Sequence, residues 1–409
     1  MKLFAELKWR GLIDNITSPD LEEKINQGGL TFYIGIDPTC DSLHIGHYSS
    51  LLVAKRLKDS GHNPIILVGG ATGLIGDPKP NSERPMISKK ELDYNYKMLS
   101  KQIKKIFNFE LVNNYDWSKE INFIDYLRDY GKFFSVNYML NKETVKKRLE
   151  IGITYTEFSY MIMQALDFLY LYENKNCTLQ IGGQDQWGNI TSGIELIRKK
   201  VDGTAYGLTM PLITKADGEK FGKTEKGAIW LDKDKTSVYE LYQFLINSED
   251  DKVIEYLKKL TFLSPEEIEE LDKSLQSEPH LRLAQKTLAK EIITFLHGAE
   301  ELDNVIKISE SLFNGNIKTL SSKDIILGLK DVPSFEIIDK LNIVDFLVEY
   351  KICSSKREAR ELIGSNSITI NDDLVTSEEL MIEEHLAIDH KIIVIRRGKK
   401  KYFIGYFNR

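Results

Sequence analysis

The chain reads as an α/β protein. A doubly wound parallel sheet fills about residues 1–235, an α-helical stretch follows at 236–330, and a small α+β module closes the chain at 340–409. Three observations predict this. In the first part, β-branched and aromatic runs alternate with helix-like segments, the pattern of a sheet covered by helices. From residue 237 the strand signals fade and helix starts take over. From residue 340 short alternating strands return around one short helix.

The elements follow in order. The opening MKLFAELKWRGLI reads as a short amphipathic helix and lacks the charged, apolar and small-residue succession of a secretory signal. Leu30-Thr-Phe-Tyr-Ile-Gly-Ile-Asp37 is a strand, and a helix runs from Leu43 to about Asp59. Pro64-Ile-Ile-Leu-Val68 is a continuous apolar strand, as expected where both faces of a parallel sheet are covered. Thr178–Ile181 and Leu208–Ile213 extend the sheet. An insertion at about 110–175 is helical and rich in aromatics. Its last helix, Thr156–Tyr172, is opened by Thr154-Tyr-Thr-Glu157, which fits a capping box. Ser237-Val-Tyr-Glu240 and Ser264-Pro-Glu-Glu267 fit the same box, the second with proline at the first helical position. In the last module, Ser355-Lys-Arg-Glu358 starts a helix and Gly364 fits its stop. Ser367–Asn371 is a strand and Asn371-Asp-Asp373 a turn. Lys391–Ile395 and Tyr402–Phe407 are strands flanking the basic turn Arg396-Arg-Gly-Lys-Lys-Lys401.

The composition, 42% hydrophobic and 28% charged, is that of an ordinary globular protein. No apolar run is long enough to cross a bilayer, so no membrane partner is expected. Cys40, Cys177 and Cys353 are widely separated and form no CxxC pair. That excludes a disulfide framework and a cysteine zinc site, predicts no protein-held metal, and points to a reducing, cytoplasmic setting. The formal net charge of −6 excludes a uniformly basic nucleic-acid binder, but RNA contact needs only a local patch.

Two motifs carry the chemistry. The loop from Asp37 to His47 lies at the carboxyl end of the first strand, where open α/β sheets bind ligands. The helix behind it presents its N-terminus, suited to anions. His44-Ile-Gly-His47 opens that helix, with the two histidines one turn apart and Gly46 small enough to admit a flat adenine. Far downstream stands Lys220-Phe-Gly-Lys223, then Thr224. Each motif alone is weak; the ordered pair reads as two halves of an ATP site. A P-loop is excluded, because Gly218 is one residue too close and no strand precedes it. A dinucleotide fold is excluded too, because Asp-Pro-Thr follows the first strand. Gly69-Gly-Ala-Thr-Gly73 has the wrong spacing for that fold and reads as a tight turn against a ligand. A third constellation is Tyr160, Gln164 and Asp167, one polar face of a nearly apolar helix. An aspartate buried there without a cation would be costly, so the face is read as a ligand site.

The paired motifs resemble the HIGH and KMSKS signatures of class I aminoacyl-tRNA synthetases. With Tyr33, the Tyr160-Gln164-Asp167 set and the run LQIGGQDQWGNI, the chain is similar over essentially its whole length to the bacterial-type tyrosyl-tRNA synthetase family. The resemblance implies a Rossmann-like catalytic domain that activates L-tyrosine with ATP, forming tyrosyl-adenylate and pyrophosphate. Tyrosine then passes to the 3′ end of tRNA(Tyr). It implies catalytic roles for Thr39, His44, His47, Lys220 and Lys223, the two lysines on a mobile loop that closes on pyrophosphate. Gly35, Asp37, Gly46, Ser50, Gly183, Asp185, Lys223 and Thr224 would form the ATP site, with Asp185 near the ribose. Asp167 and Tyr33 would bind the substrate phenol; Tyr160, Gln164 and Asp77 its ammonium; Gln186 lies near its carboxyl group. Magnesium is implied only as the companion of ATP. The insertion would carry the interface of a homodimer, with one tRNA spanning both subunits.

SSKREARELIGSNSITIND resembles an S4-type RNA-binding module, which makes Lys356, Arg357, Arg360, Arg396, Arg397 and Lys399 RNA candidates. Two departures are visible. Thr224 stands where the family commonly has serine, with the hydroxyl kept. The loop from Pro78 to Glu83 is one residue short, followed by Arg84, a carboxylate or phosphate candidate. The alternatives are a tryptophanyl-type synthetase, or a non-catalytic RNA-binding relative that has lost the chemistry.

Overall fold

The structure is a computed structural model; it describes residues 1–78, 84–224, 227–330, 332–398 and 401–407. The chain divides into two compact units. One comprises Met1–Thr236 with Leu245–Ile292, the other Ser237–Phe244 with Ile293–Arg409. The helical stretch expected at 236–330 is thus shared between them.

The first unit is built on a six-stranded sheet. Its strands are β1 (Asn15–Ile16), β2 (Thr31–Ile36), β3 (Asn63–Val68), β4 (Glu110–Asn113), β5 (Cys177–Gly183) and β6 (Tyr206–Met210). Their order is β1-β6-β5-β2-β3-β4, parallel except for β1, which runs antiparallel at the edge. The apolar runs behave as predicted because the side chains alternate between two covered faces. Tyr33, Ile65 and Leu67 join one core with helices α3 (Tyr155–Lys175) and α4 (Trp187–Val201). The alternate residues Ile34, Ile66 and Val68 are also buried. Helix α2 (Ile45–Asp59) packs against β3, and α1 (Leu3–Trp9) is the expected N-terminal helix.

Two strands of this sheet escaped the sequence reading. β1 is only two residues long. β4 sits where the insertion was expected to begin; it pairs with β3 and is the sheet's far edge. Short helical turns follow from Tyr115 to Leu149 and lead into α3. Thr154 caps α3 by accepting from the Glu157 N–H at 3.3 Å, but the Glu157 carboxylate does not reach back. It is buried against Arg148, 2.7 Å away, so the predicted box is only half made. The boxes at Ser237 and Ser264 are complete.

The second unit holds helices Ala299–Asn314 and Ser322–Gly328 and a five-stranded sheet. A hairpin in the first unit supplies β7 (Lys223–Thr224) and β8 (Gly227–Ala228). The C-terminal strands are then β9 (Ser334–Ile337), β10 (Leu341–Asn342), β11 (Ile368–Ile370), β12 (Asp373–Leu374), β13 (Met381–Ile382), β14 (Ile392–Arg397) and β15 (Lys401–Phe407). The five-stranded order is β12-β11-β14-β15-β9. One face buries Ile393 and Ile395 with helices Ile343–Glu349 and Lys356–Gly364. The other buries Ile392, Val394 and Ile404 against Ile308, Ile317, Leu320 and Ile325. Asn371 and Asp372 take positive φ between β11 and β12, as the predicted turn needs. Gly364 is the last helical residue rather than the stop, because the left-handed position falls on Asn366. Arg396 and Arg397 belong to β14, not to a turn. No described helix is long and apolar enough to cross a membrane.

Candidate active site

Chain direction in the sheet locates the site. From β2 the chain winds outward through β3 to β4; from β5 it winds the other way to β6. The carboxyl ends of β2 and β5 therefore part at a switch point, where a crevice forms. A cavity of about 430 Å³ lies there. Its walls include Tyr33, Gly35, Asp37, Thr39, His44, His47, Ser50, Asp77, Tyr160, Gln164, Asp167, Gly183, Asp185 and Gln186.

The histidines are fixed by the helix they open. His44 is the N-cap of α2: its Nδ1 accepts from the Gly46 N–H at 3.1 Å. His47 Nδ1 accepts from the His44 N–H at 3.2 Å. Together they make a capping box in which imidazoles replace the usual hydroxyl and carboxylate. The rings stack at 3.7 Å. Burial is the main force lowering both pKa values, for His47 to about 3. Both rings are thus neutral, and with Nδ1 accepting, each keeps its proton on Nε2 as a donor.

The second motif folds onto the first. Gly222 has φ +86°, and a Cβ there would lie 1.9 Å from Ile45 Cγ2. Only glycine allows this approach. The Ile229 N–H donates to the Gly222 carbonyl at 2.9 Å, and the Ile45 N–H to the Ile229 carbonyl at 2.9 Å. Lys220 is close enough to help depress His44. Lys220 and Lys223 are exposed, outside the cavity wall, as is Gly46. Thr224 Oγ1 donates to the Gly227 carbonyl at 3.0 Å, a bond serine would also make.

Deeper in the cavity, polar groups form linked sets. Asp37 accepts from Thr72 Oγ1 at 2.7 Å and Tyr160 Oη at 2.8 Å. Asp77 accepts from Gln186 Nε2 at 2.8 Å and Asn189 Nδ2 at 3.2 Å. Gln164 Nε2 donates to Gln186 Oε1 at 3.3 Å. Burial raises the Asp37 pKa and takes Asp77 to about 6. Asp167, 2% exposed, accepts from Asn114 Nδ2 and Trp117 Nε1, both at 2.9 Å. Burial outweighs those two bonds and lifts its pKa to about 7. Beside it, the buried Tyr33 hydroxyl has no hydrogen-bond partner among the described residues.

Sequence reasoning missed Asn114, Trp117, Thr72 and Asn189, which orient the aspartates and Gln186. Asn114 and Trp117 follow β4, and no strand was expected there to aim them. Gln180, level with Tyr33 on β5, also lines the cavity, with a buried Oε1 that has no partner among the described residues. The glycines after β3 are explained by space: a Cβ on Gly69 would sit 2.2 Å from Asp37 Oδ1. Arg84 lines the cavity and donates to the Asp77 carbonyl at 2.7 Å. The short loop before it falls at 79–83, outside the described residues, as does Lys399. Among the described residues no cluster of three or more His, Cys, Asp or Glu could hold a metal.

The RNA candidates lie in the second unit. Lys356 pairs with Asp345, Arg357 with Glu361 and Arg360 with Glu378. These pairs are exposed and weak, open to exchange for phosphate. Arg397 differs: it donates to the Ile352 carbonyl and Glu358, an internal tie. Arg396 is half-buried.

Residues 25–314 match the family model for tRNA synthetases class I (W and Y), and residues 324–405 that for the Tyrosine--tRNA ligase SYY-like C-terminal domain. The Tyrosine--tRNA ligase of Staphylococcus carnosus is 51% identical over 413 residues, covering 98% of each chain. That of Listeria monocytogenes is 50% identical over 415 residues, covering 99% of each. A C-terminally truncated mitochondrial tyrosyl-tRNA synthetase from Aspergillus nidulans superposes with a TM-score of 0.70 at 31% identity, over 76% of this chain and 94% of that one. The chain belongs to the tyrosine--tRNA ligase family of class I tRNA synthetases.

Proposed function

We propose that this enzyme activates L-tyrosine with ATP and transfers it to tRNA(Tyr). One observation carries the reading. A buried aspartate held by two donors stands beside a tyrosine hydroxyl that no described residue hydrogen-bonds, in the cavity that the first motif's histidines line. An aromatic substrate bearing a hydroxyl completes that pair; one lacking it leaves both groups unsatisfied.

The substrate phenol donates to Asp167 and accepts from Tyr33. Its ammonium meets Tyr160, Gln164 and Asp77, and its carboxylate lies near Gln186. One carboxylate oxygen attacks the α-phosphorus of ATP, and the bond from that phosphorus to the β-phosphate oxygen breaks. Pyrophosphate leaves with the electron pair. The carboxylate is already ionised, so no general base is needed and catalysis is positioning plus charge stabilisation. Thr39 and the Nε2–H of His44 donate to the departing phosphates, and Lys220 and Lys223 offset their charge. His47, Ser50, Gly35, Asp37, Gly46, Gly183, Asp185 and Thr224 hold the nucleotide. Magnesium arrives with the ATP phosphates. In the second step a hydroxyl of the terminal tRNA ribose attacks the tyrosyl carbonyl, AMP leaves with the electron pair of the broken bond, and the hydroxyl proton passes to its phosphate. Lys356, Arg357 and Arg360 contribute to holding the RNA.

The working form is a homodimer in the cytoplasm. Exposed apolar side chains in the insertion, among them Phe123, Ile124, Val136, Ile151 and Tyr155, support the first part. Three free cysteines support the second. The test is exchange of labelled pyrophosphate into ATP. Tyrosine should drive it and phenylalanine and tryptophan should not. Equal exchange with tryptophan, or exchange without any amino acid, overturns the assignment.

A further inference from the structure

Helix α5 (Asp250–Leu260), in the first unit, touches both halves of the ATP site. Its C-terminal carbonyls, which a helix cannot satisfy itself, are taken by side chains from the first motif's side. Tyr48 Oη, on α2, donates to the Leu260 carbonyl at 3.4 Å, and Arg56, also on α2, donates to the Thr261 carbonyl. On the other side α5 holds the second motif. Tyr256 Oη donates to the Thr214 carbonyl at 3.0 Å, and the Tyr256 and Phe221 rings pack at 4.3 Å. The Ala216 N–H donates to Glu249 Oε2, just before α5, at 2.9 Å. Thr214 in turn pairs with Lys220 across the base of the loop.

We propose that Tyr256 is a positioning residue for the activation step. Through the Thr214 carbonyl and the Phe221 ring it sets the loop so that Lys220 and Lys223 stand opposite His44 and His47. This rests on the activity proposed above. Tyr256 touches no substrate and acts only through the loop, whose charges matter most as pyrophosphate departs. Its loss therefore lowers kcat and leaves tyrosine binding alone.

Tyr256→Phe keeps the ring contact and removes the hydrogen bond; Tyr256→Ala removes both. In tyrosine-dependent pyrophosphate exchange, Tyr256→Phe should lower kcat about fivefold, the size of one neutral hydrogen bond, with tyrosine KM unchanged. Tyr256→Ala should lower it further. Combined with Lys223→Ala, the Tyr256→Phe loss should be smaller than in the wild-type background, since both act through one loop. Trypsin should cut after Lys220 or Lys223 faster in Tyr256→Phe than in wild type, a readout independent of activity. Wild-type kcat in Tyr256→Phe, a shift confined to tyrosine KM, multiplicative losses, or unchanged cleavage would each overturn the proposal. Absence of exchange in the wild-type protein would instead overturn the proposed activity, and the cleavage rates would still judge the role of Tyr256.

Discussion

Asp167 shows how a costly residue is kept. Its carboxylate is buried on the one polar face of a nearly apolar helix with no ion pair among the described residues, yet Asn114 and Trp117 each donate to it. Removing it by Asp167→Ala should weaken tyrosine binding by about 10- to 150-fold, the loss of one hydrogen bond to a charged group. ATP binding should hold, and calorimetry with each substrate separates the two. The same aspartate gives a pH signature. Asp77 titrates near 6 and Asp167 near 7, both raised by burial from 3.8. In the roles proposed above the ionised forms bind the ammonium and the phenol, so tyrosine affinity should rise between about pH 5 and 8 and then level. Folding stability runs the other way. A raised carboxylate pKa favours the folded state fully below the unfolded value and loses that contribution as pH rises through the folded one. The ligand-free Asp167→Asn protein should therefore gain thermal stability over wild type near pH 8 and not near pH 4. A parallel gain at both values would show that burial strain at Asp167 is absent. The Tyr160-Gln164-Asp167 face was legible because helical spacing alone aligns it. Asn114 and Trp117 were not, because nothing local says that they turn back toward that helix.

At the scale of elements, the two motifs proposed to hold the nucleotide are 173 residues apart from Lys220 back to His47 and meet through backbone bonds. Gly222 is the contact. Gly222→Ala combines a positive φ with a Cβ 1.9 Å from Ile45. The backbone term alone costs about 1–2 kcal/mol. The loop must shift, so exchange kcat should fall at least about tenfold while tyrosine KM stays near wild type. Exchange kinetics at saturating tyrosine check this. Strong periodicity made β2, β3, α2 and α3 readable to within a few residues. β1 and β4 escaped because two- to four-residue strands carry no period; the neighbouring strands dictate them. The His44–His47 capping box was hidden for another reason: imidazoles are not the usual capping groups, and only their geometry reveals the role.

For the whole molecule, the last strands matter beyond the RNA contact proposed for their module. Ile392, Val394 and Ile404 fill a core with Ile308, Ile317, Leu320 and Ile325. Each such side chain is worth about 1.5–3 kcal/mol when buried. Deleting the chain after Val332 strips that cover. The truncated protein should keep tyrosine-dependent exchange, lose tRNA charging, and show faster proteolysis within Ala299–Gly328. Normal charging would rule out the RNA role of the module, and unchanged proteolysis would deny the shared core.

By itself the amino-acid order determined what short range can encode. Helical and strand periods, turn residues, two cationic motifs and an acidic helix face name the fold class and the chemistry. Tertiary structure alone decided which groups meet. It turned Arg397 inward, set Asn114 and Trp117 on Asp167, pressed Gly222 onto Ile45 and placed Tyr256 against the second motif. These contacts join residues far apart in the chain, and their energies exist only once the sheet and helices have brought them into van der Waals and hydrogen-bonding range.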